Sequence, residues 1–271
     1  FYFEDQLSSL YDILKEKLKK RSNPPFFGQT VFVPGPAVGK WLKMKMAEDS
    51  IFFNIELAYL ESGFFKLAEK LTDQKLFSIQ GGEFDFYYHT LFYEVLLESG
   101  KKNREVLEWA HQSGSREDFF SSYETWILAG RLMKLFQEWE YQNPEELSCF
   151  ENETDIYAFF YNQWMGKIKK KHEGKKRLLD FVLHDPVEKT FPDEHFILFG
   201  FHYLSDFQCR FLKKLSSSFD FSVLMNLTLT SEKELDWGRG GRQSFEILKD
   251  VFPEIRSLPE IQTEGLEECV R

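Results

Sequence analysis

The stretch from Val31 to Met46, VFVPGPAVGKWLKMKM, sets the terms for the rest of the chain. It reads as a buried strand, a tight turn at Pro34-Gly35-Pro36, and a helix from Trp41 to Ala47. A strand that empties into a helix through a glycine-bearing loop is how many α/β proteins cradle phosphate.

The flanks repeat the same alternation. Phe1 to Phe3 reads as a first strand. Asp5 can cap a helix in which Leu7, Leu10, Tyr11, Leu14 and Leu18 recur at helical steps. That helix runs out at KEKLKKRSNPP, where basic residues suit the negative end of the dipole and the prolines stop it. Gln29 to Val33 and Ile51 to Leu57 are further strands, and Ser62 to Leu71 returns to helical spacing. Strand and helix thus alternate through residues 1–74, which predicts the α/β class with a parallel sheet and flanking helices.

From residue 75 to 192 the pattern changes to long, aromatic-rich helical periods: Asp85 to Glu98, Lys102 to Gln112, Asp118 to Gln142 and Thr154 to Lys171. Asn143-Pro144 breaks the third of these, and no strand is evident among them. The expectation is an all-helical insertion into the sheet. Strand character returns at HFILFGF from His195, followed by a helix over Leu204 to Leu215 capped by Ser205 and a strand over Phe219 to Leu224. Residues 193–230 therefore read as the return of the α/β domain. Ser244 to Val251 suggests one more helix within a polar stretch, 231–271, read as a tail leading to a further C-terminal region.

The formal net charge of -10 rules out a surface that is basic throughout, so any DNA contact must come from local patches or a channel shared with a partner. Most of the 30 Phe, 11 Tyr and 6 Trp fall at core spacing, which leaves only a few as stacking platforms. Cys149, Cys209 and Cys269 form no metal-ligand pattern and no disulfide framework, as expected in a reducing compartment. No apolar run spans a membrane, and the first residues do not have the order of a signal peptide. A soluble, cytoplasmic protein without a membrane partner is expected.

Phosphate chemistry would need Gly-x4-Gly-Lys-Ser/Thr. Aligned on Gly39-Lys40, this chain has Pro34 for the first glycine and Trp41 for the magnesium-binding hydroxyl. Pro34 and Pro36 also remove two N–H donors. No acidic pair follows a strand, and His202 has no nucleophile or orienting group placed for it. His89, His111, His172, His184, His195 and His202 lack metal-ligand spacing, and the carboxylates read as solvated helix faces. No active site is expected. The strongest basic run, KIKKKHEGKKR, contains Lys167, Lys169, Lys170, Lys171, Lys175, Lys176 and Arg177. It reads equally as a phosphate-contact segment or as a solvated helix end.

Several segments share, in order, the pattern of one family. FYFEDQLSSLYDIL, VPGPAVGKWLKMKMA with Trp41-Leu42, and FFNIELAYLESGFFKL with Asn54-Ile55 come first. LFQEWEYQNPEEL follows with Leu135, Phe136, Pro144 and Leu147, then HFILFGFHYLSDFQCRFLKKL with Gly200 and Leu204, and finally Asp236-Trp237-Gly238. Together they resemble the RecC family, the gamma subunit of bacterial exodeoxyribonuclease V, across most of residues 1–238.

The resemblance implies domains similar to 1A and 1B of a superfamily-1 helicase that has lost its ATPase residues. It implies a non-catalytic subunit of an ATP-dependent helicase-nuclease in double-strand-break repair, with RecB-like and RecD-like partners. ATP and Mg²⁺ are then expected on those motors, with no cofactor on this chain. Duplex ends and single strands are the expected DNA partners, and the best-known members scan the 3′ strand for a Chi-type sequence. Positions facing that strand fall at Pro34, Pro36, Lys40, Tyr59, Phe65, Lys134, Leu135, Gln137 and Asn143, to which the basic run adds Lys169, Lys170 and Lys171. A family Gln, Thr, Gln set is replaced here by Pro34, Pro36 and Lys40, which removes groups able to read base edges. Phe65 keeps a ring that can stack, and Lys40 and Lys134 add charge where phosphates pass. The competing readings are an AddB-like subunit of the analogous two-subunit complex, an active small P-loop NTPase, and a protein-interaction module that never touches nucleic acid.

Overall fold

The computed structural model describes residues 2–4, 6–20, 28–49, 54–80, 85–102, 123–150, 155–226 and 247–252. The chain divides into two compact units, one of Phe1–Leu71 with Val187–Arg271 and one of Thr72–Pro186.

The first unit is built on a five-stranded sheet. Its strands are β1 (Tyr2–Glu4), β2 (Gln29–Val33), β3 (Ile55–Tyr59), β6 (Phe191–Phe201) and β7 (Phe219–Asn226), in the spatial order β1-β7-β6-β2-β3. Every pairing is parallel. Helices α1 (Leu7–Lys20), α2 (Pro36–Glu48), α3 (Leu60–Leu71) and α9 (Asp206–Ser216) make the crossovers. The α/β parallel-sheet expectation holds. Continuous apolar strands such as FILFGF suit a sheet covered on both sides.

Alternation along β2 divides the core in two. Val31 and Val33 point to one side, where Leu10, Tyr11 and Leu14 of α1 and Leu42 and Met46 of α2 close over Ile197, Phe199 and Leu224. Phe32 points to the other, edge-on to Phe64 of α3 at 5.6 Å, and Phe64 in turn meets Phe211 of α9 at 5.2 Å. A Cβ at Gly63 would come within 2.0 Å of the Phe32 ring, so only glycine lets α3 lie this close to the sheet. Trp41 packs flat on Phe199 (6.3 Å, 12°) and edge-on to Tyr11 (6.0 Å), and so belongs to the core.

Helix α2 begins at Pro36, five residues before the helix read from the sequence. Proline at the first helical position loses no hydrogen bond and already has a helical φ, so Pro36 starts the helix instead of extending the turn. Strand β6 also begins earlier than expected, at Phe191, with register shifts between Phe191 and His195 and between Phe199 and Phe201. The second shift holds Gly200 at φ 75°. A Cβ there would lie 3.0 Å from Leu7 and 3.2 Å from Val38, so glycine admits the starts of α1 and α2. Ser205 caps α9 as expected: its hydroxyl accepts from Gln208 N–H (3.2 Å), and the Gln208 side chain accepts from Ser205 N–H (3.0 Å). Residues 51–53 of the strand expected at 51–57, and Asp5, lie outside the described residues.

The second unit contains α4 (Asp85–Lys102), α5 (Tyr123–Gln142), α6 (Pro144–Cys149), α7 (Ile156–Lys171) and α8 (Leu178–His184). It is not all-helical: β4 (Leu76–Phe77) pairs in parallel with β5 (Lys176–Arg177). These strands are too short to show a period, which is why the sequence reading passed over them. Asn143-Pro144 ends α5, and Pro144 opens α6. Asp155 caps α7, its carboxylate accepting from the N–H groups of Tyr157 (2.7 Å) and Ala158 (2.9 Å). The core is aromatic, with Tyr88, Phe92, Phe136, Phe160 and Trp164 fully buried. The helix expected over Lys102 to Gln112 falls outside the described residues from 103 onward.

Candidate nucleic-acid interface

In the first unit Pro34, Pro36 and Tyr59 lie at the carboxyl ends of β2 and β3. Val33 and Tyr59 are register partners, so Pro34 leaves the sheet beside Tyr59, whose ring is 52% exposed. Pro34, Pro36 and Lys40 are also exposed. The link leaving β2 turns to α2 on one face, and the link leaving β6 turns to α9 on the other. That reversal is the switch point of a doubly wound sheet, the place where open α/β sheets bind ligands.

Only Pro34 and Gly35 separate β2 from α2, with Gly35 in extended conformation (φ 179°). A link of this length cannot wrap a triphosphate as a glycine-rich loop does. Gly39 is buried within α2 against Val33 and Leu57, and Lys40 stands on the second turn of the helix. Across the switch point, the exposed His202 ring donates through Nδ1 to the Asn226 carbonyl at 3.2 Å, which orients the imidazole without a nucleophile.

The five candidates of this unit do not form one cluster. Pro34, Pro36 and Tyr59 share the strand edge, whereas Phe65 is half-buried on α3, which covers the face opposite to α2 and Lys40.

In the second unit, Lys134 on α5 and Asn143 at the α5–α6 link are exposed, while Leu135 is half-buried. Gln137 serves the fold: its amide donates to the Ile79 carbonyl (2.6 Å) and to Asp85 (3.1 Å). Its backbone carbonyl accepts from Gln80 (2.6 Å). A side chain committed in this way has no amide donor left to spend on a base.

Three of the seven cations of the basic run are paired within the unit. Lys167 pairs with Glu94 (3.2 Å) and Glu98 (2.9 Å), and Lys176 with Asp185 (2.5 Å). Arg177 is buried and pairs with the equally buried Glu140 at 2.8 Å. Lys169, Lys170, Lys171 and Lys175 remain exposed, with the Lys171 ammonium 5.2 Å above the Tyr87 ring.

Glu140 also corrects the reading of all carboxylates as solvated. It continues the buried row Ala129, Leu132, Met133 and Phe136 at helical spacing, so its burial was legible in the sequence. Burial pushes its carboxyl up, and the Arg177 charge opposes that. Arg177 is pulled down by burial, but Glu140, Tyr161 and Asp180 together more than offset this and hold it above its ordinary value. His172 is buried, stacked on Phe77 (4.6 Å) and bonded to the Tyr88 hydroxyl (2.9 Å). Burial lowers its pKa, and Lys175 and Lys171 lower it further.

Among the described residues no group of three or more His, Cys, Asp or Glu could hold a metal ion. Among the same residues no helix is long and apolar enough to cross a membrane. No curated protein matches the chain. The family model for the RecC N-terminal domain matches residues 1–240, and the chain therefore belongs to the RecC family.

Proposed function

We propose that this chain is a non-catalytic, DNA-handling scaffold of a RecBCD-type helicase-nuclease in recombinational double-strand-break repair. In this reading the carboxyl edge of its parallel sheet borders the path of an unwound single strand. The observation that carries the proposal is the family match across residues 1–240.

The sheet edge supports it. Its exposed residues are two prolines and a lysine one turn into α2 beside the switch point, and a tyrosine ring at the end of the edge strand β3: a stacking surface and a cation, without a phosphate loop. RecB-like and RecD-like motors supply ATP and Mg²⁺ chemistry in this account. Pro34, Pro36 and Lys40 offer no amide or hydroxyl to a base edge, which leaves only the Lys40 ammonium and makes any Chi-type code at this turn altered or absent. In the second unit, considered by itself, the exposed Lys134, Asn143, Lys169, Lys170 and Lys171 are the residues offered to single-stranded DNA.

Binding of an oligothymidine by the intact complex, followed by fluorescence anisotropy across a salt series, tests this. Lys40→Ala should weaken binding and lower the salt slope by roughly 0.7. An unchanged affinity and slope would refute the assignment.

A further inference from the structure

Among the described residues of the second unit, two rings are about three-quarters exposed. Phe86 on α4 is 75% exposed and Tyr123 on α5 is 76% exposed. Trp126 ties Phe86 to the fold: His89 stacks on it at 3.9 Å, Tyr93 meets it edge-on at 5.3 Å, and Phe86 lies 5.9 Å away, while Tyr123 precedes Trp126 by three residues on α5. The His89 ring donates through Nε2 to the Trp126 carbonyl at 2.7 Å. Gly130 leaves room for that ring, since a Cβ would stand 3.0 Å from it. Phe86 and Tyr123 thus present aromatic surface to solvent, with nothing of a core residue's reason to be there.

The same face continues along α5. Tyr123, Ile127, Arg131 and Lys134 follow at intervals of four, four and three, which places them in one row. Arg131 and Lys134 are exposed, and neither has an ion pair among the described residues. Glu124 and Glu138 flank the row, so its positive charge is confined to the turn holding Arg131 and Lys134. The row is about 16 Å long at 1.5 Å per residue, roughly five nucleotides at stacked spacing. Rings followed by paired cations, continuous with Lys134, match a single strand's bases and phosphates better than an apolar protein surface.

We propose that Phe86, Tyr123 and Ile127 form a base-stacking platform for single-stranded DNA, with Arg131 and Lys134 on its phosphates. This rests on the strand-path reading and extends it to residues which that reading did not include.

The test measures oligothymidine affinity and salt slope for the intact complex carrying Phe86→Ala with Tyr123→Ala, beside Phe86→Trp with Tyr123→Trp, Arg131→Ala and Lys40→Ala. The expected results are a roughly 10- to 100-fold loss for the double alanine variant at unchanged salt slope, and retention of affinity with tryptophan. Arg131→Ala should lower the slope by roughly 0.7. Unchanged affinity in the double alanine variant overturns the platform. If Lys40→Ala still weakens binding, the strand path survives that result, and if it does not, both readings fall. A double alanine variant that folds, by thermal melting, but no longer enters the complex would mark the face as a subunit contact and overturn the proposal.

Discussion

The Arg177 guanidinium lies 2.8 Å from the Glu140 carboxylate, and the Glu140 side chain has no exposed surface. Helix α5 and strand β5 are thereby tied by an ion pair in the middle of an aromatic core, with Arg177 also 5.6 Å over the Tyr161 ring. Removing one partner strands a buried charge, which costs about 3–5 kcal/mol. Glu140→Ala and Arg177→Ala should each lower stability by that amount in urea unfolding. Glu140→Leu combined with Arg177→Met should recover most of it, because desolvating the pair offsets most of its attraction. A double variant no better than the singles would contradict this.

Close approach of α3 to the sheet gives a second prediction. Gly63→Ala forces a methyl group into the Phe32 ring and should cost about 1–3 kcal/mol, read as a drop in Tm. Adding Phe32→Leu should return part of the loss by making room, although Phe32→Leu alone destabilises. Additive losses would place the strain elsewhere.

His172 makes stability depend on pH. Its folded pKa lies below the ordinary 6.5, so the unfolded chain takes up the proton first. The contribution is fully present above about pH 6.5 and is lost as pH falls from there through the folded value. The groups facing it are the Tyr88 hydroxyl and the Lys171 and Lys175 ammoniums, and the last two disfavour the imidazolium further. Urea midpoints measured between pH 7.5 and 5 should fall for the parent chain and flatten for His172→Gln over that range.

Within the basic run, cations engaged in the fold should differ from exposed ones. Lys170→Ala should reduce the salt slope of strand binding by roughly 0.7, whereas Lys167→Ala, already paired with Glu94 and Glu98, should leave it unchanged. Equal effects would mean that the pairs at Glu94 and Glu98 open on binding.

Strand-helix alternation and the return of the sheet at HFILFGF were legible because both rest on local periodicity. Pro36 was misread because the same residue stops one helix and starts another, and only its position relative to β2 decides which. Strands β4 and β5 were invisible because two residues carry no period. Arg177 gave no signal within KKR, since its burial depends on Glu140, 37 positions away, while Glu140 itself sat on the apolar row of α5. The exposure of Phe86 and Tyr123 was equally hidden, because an aromatic residue in a helical pattern reads first as core.

The central claim is that a DNA strand, and not a nucleotide, passes the carboxyl edge of the sheet. Replacing Tyr59 with p-benzoylphenylalanine puts a photo-crosslinking group at that edge, beside the end of β2. Irradiating the intact complex while it unwinds a labelled duplex should crosslink position 59 to a separated strand, and only when ATP drives unwinding. A complex that unwinds normally yet yields no DNA adduct at position 59 would contradict the account.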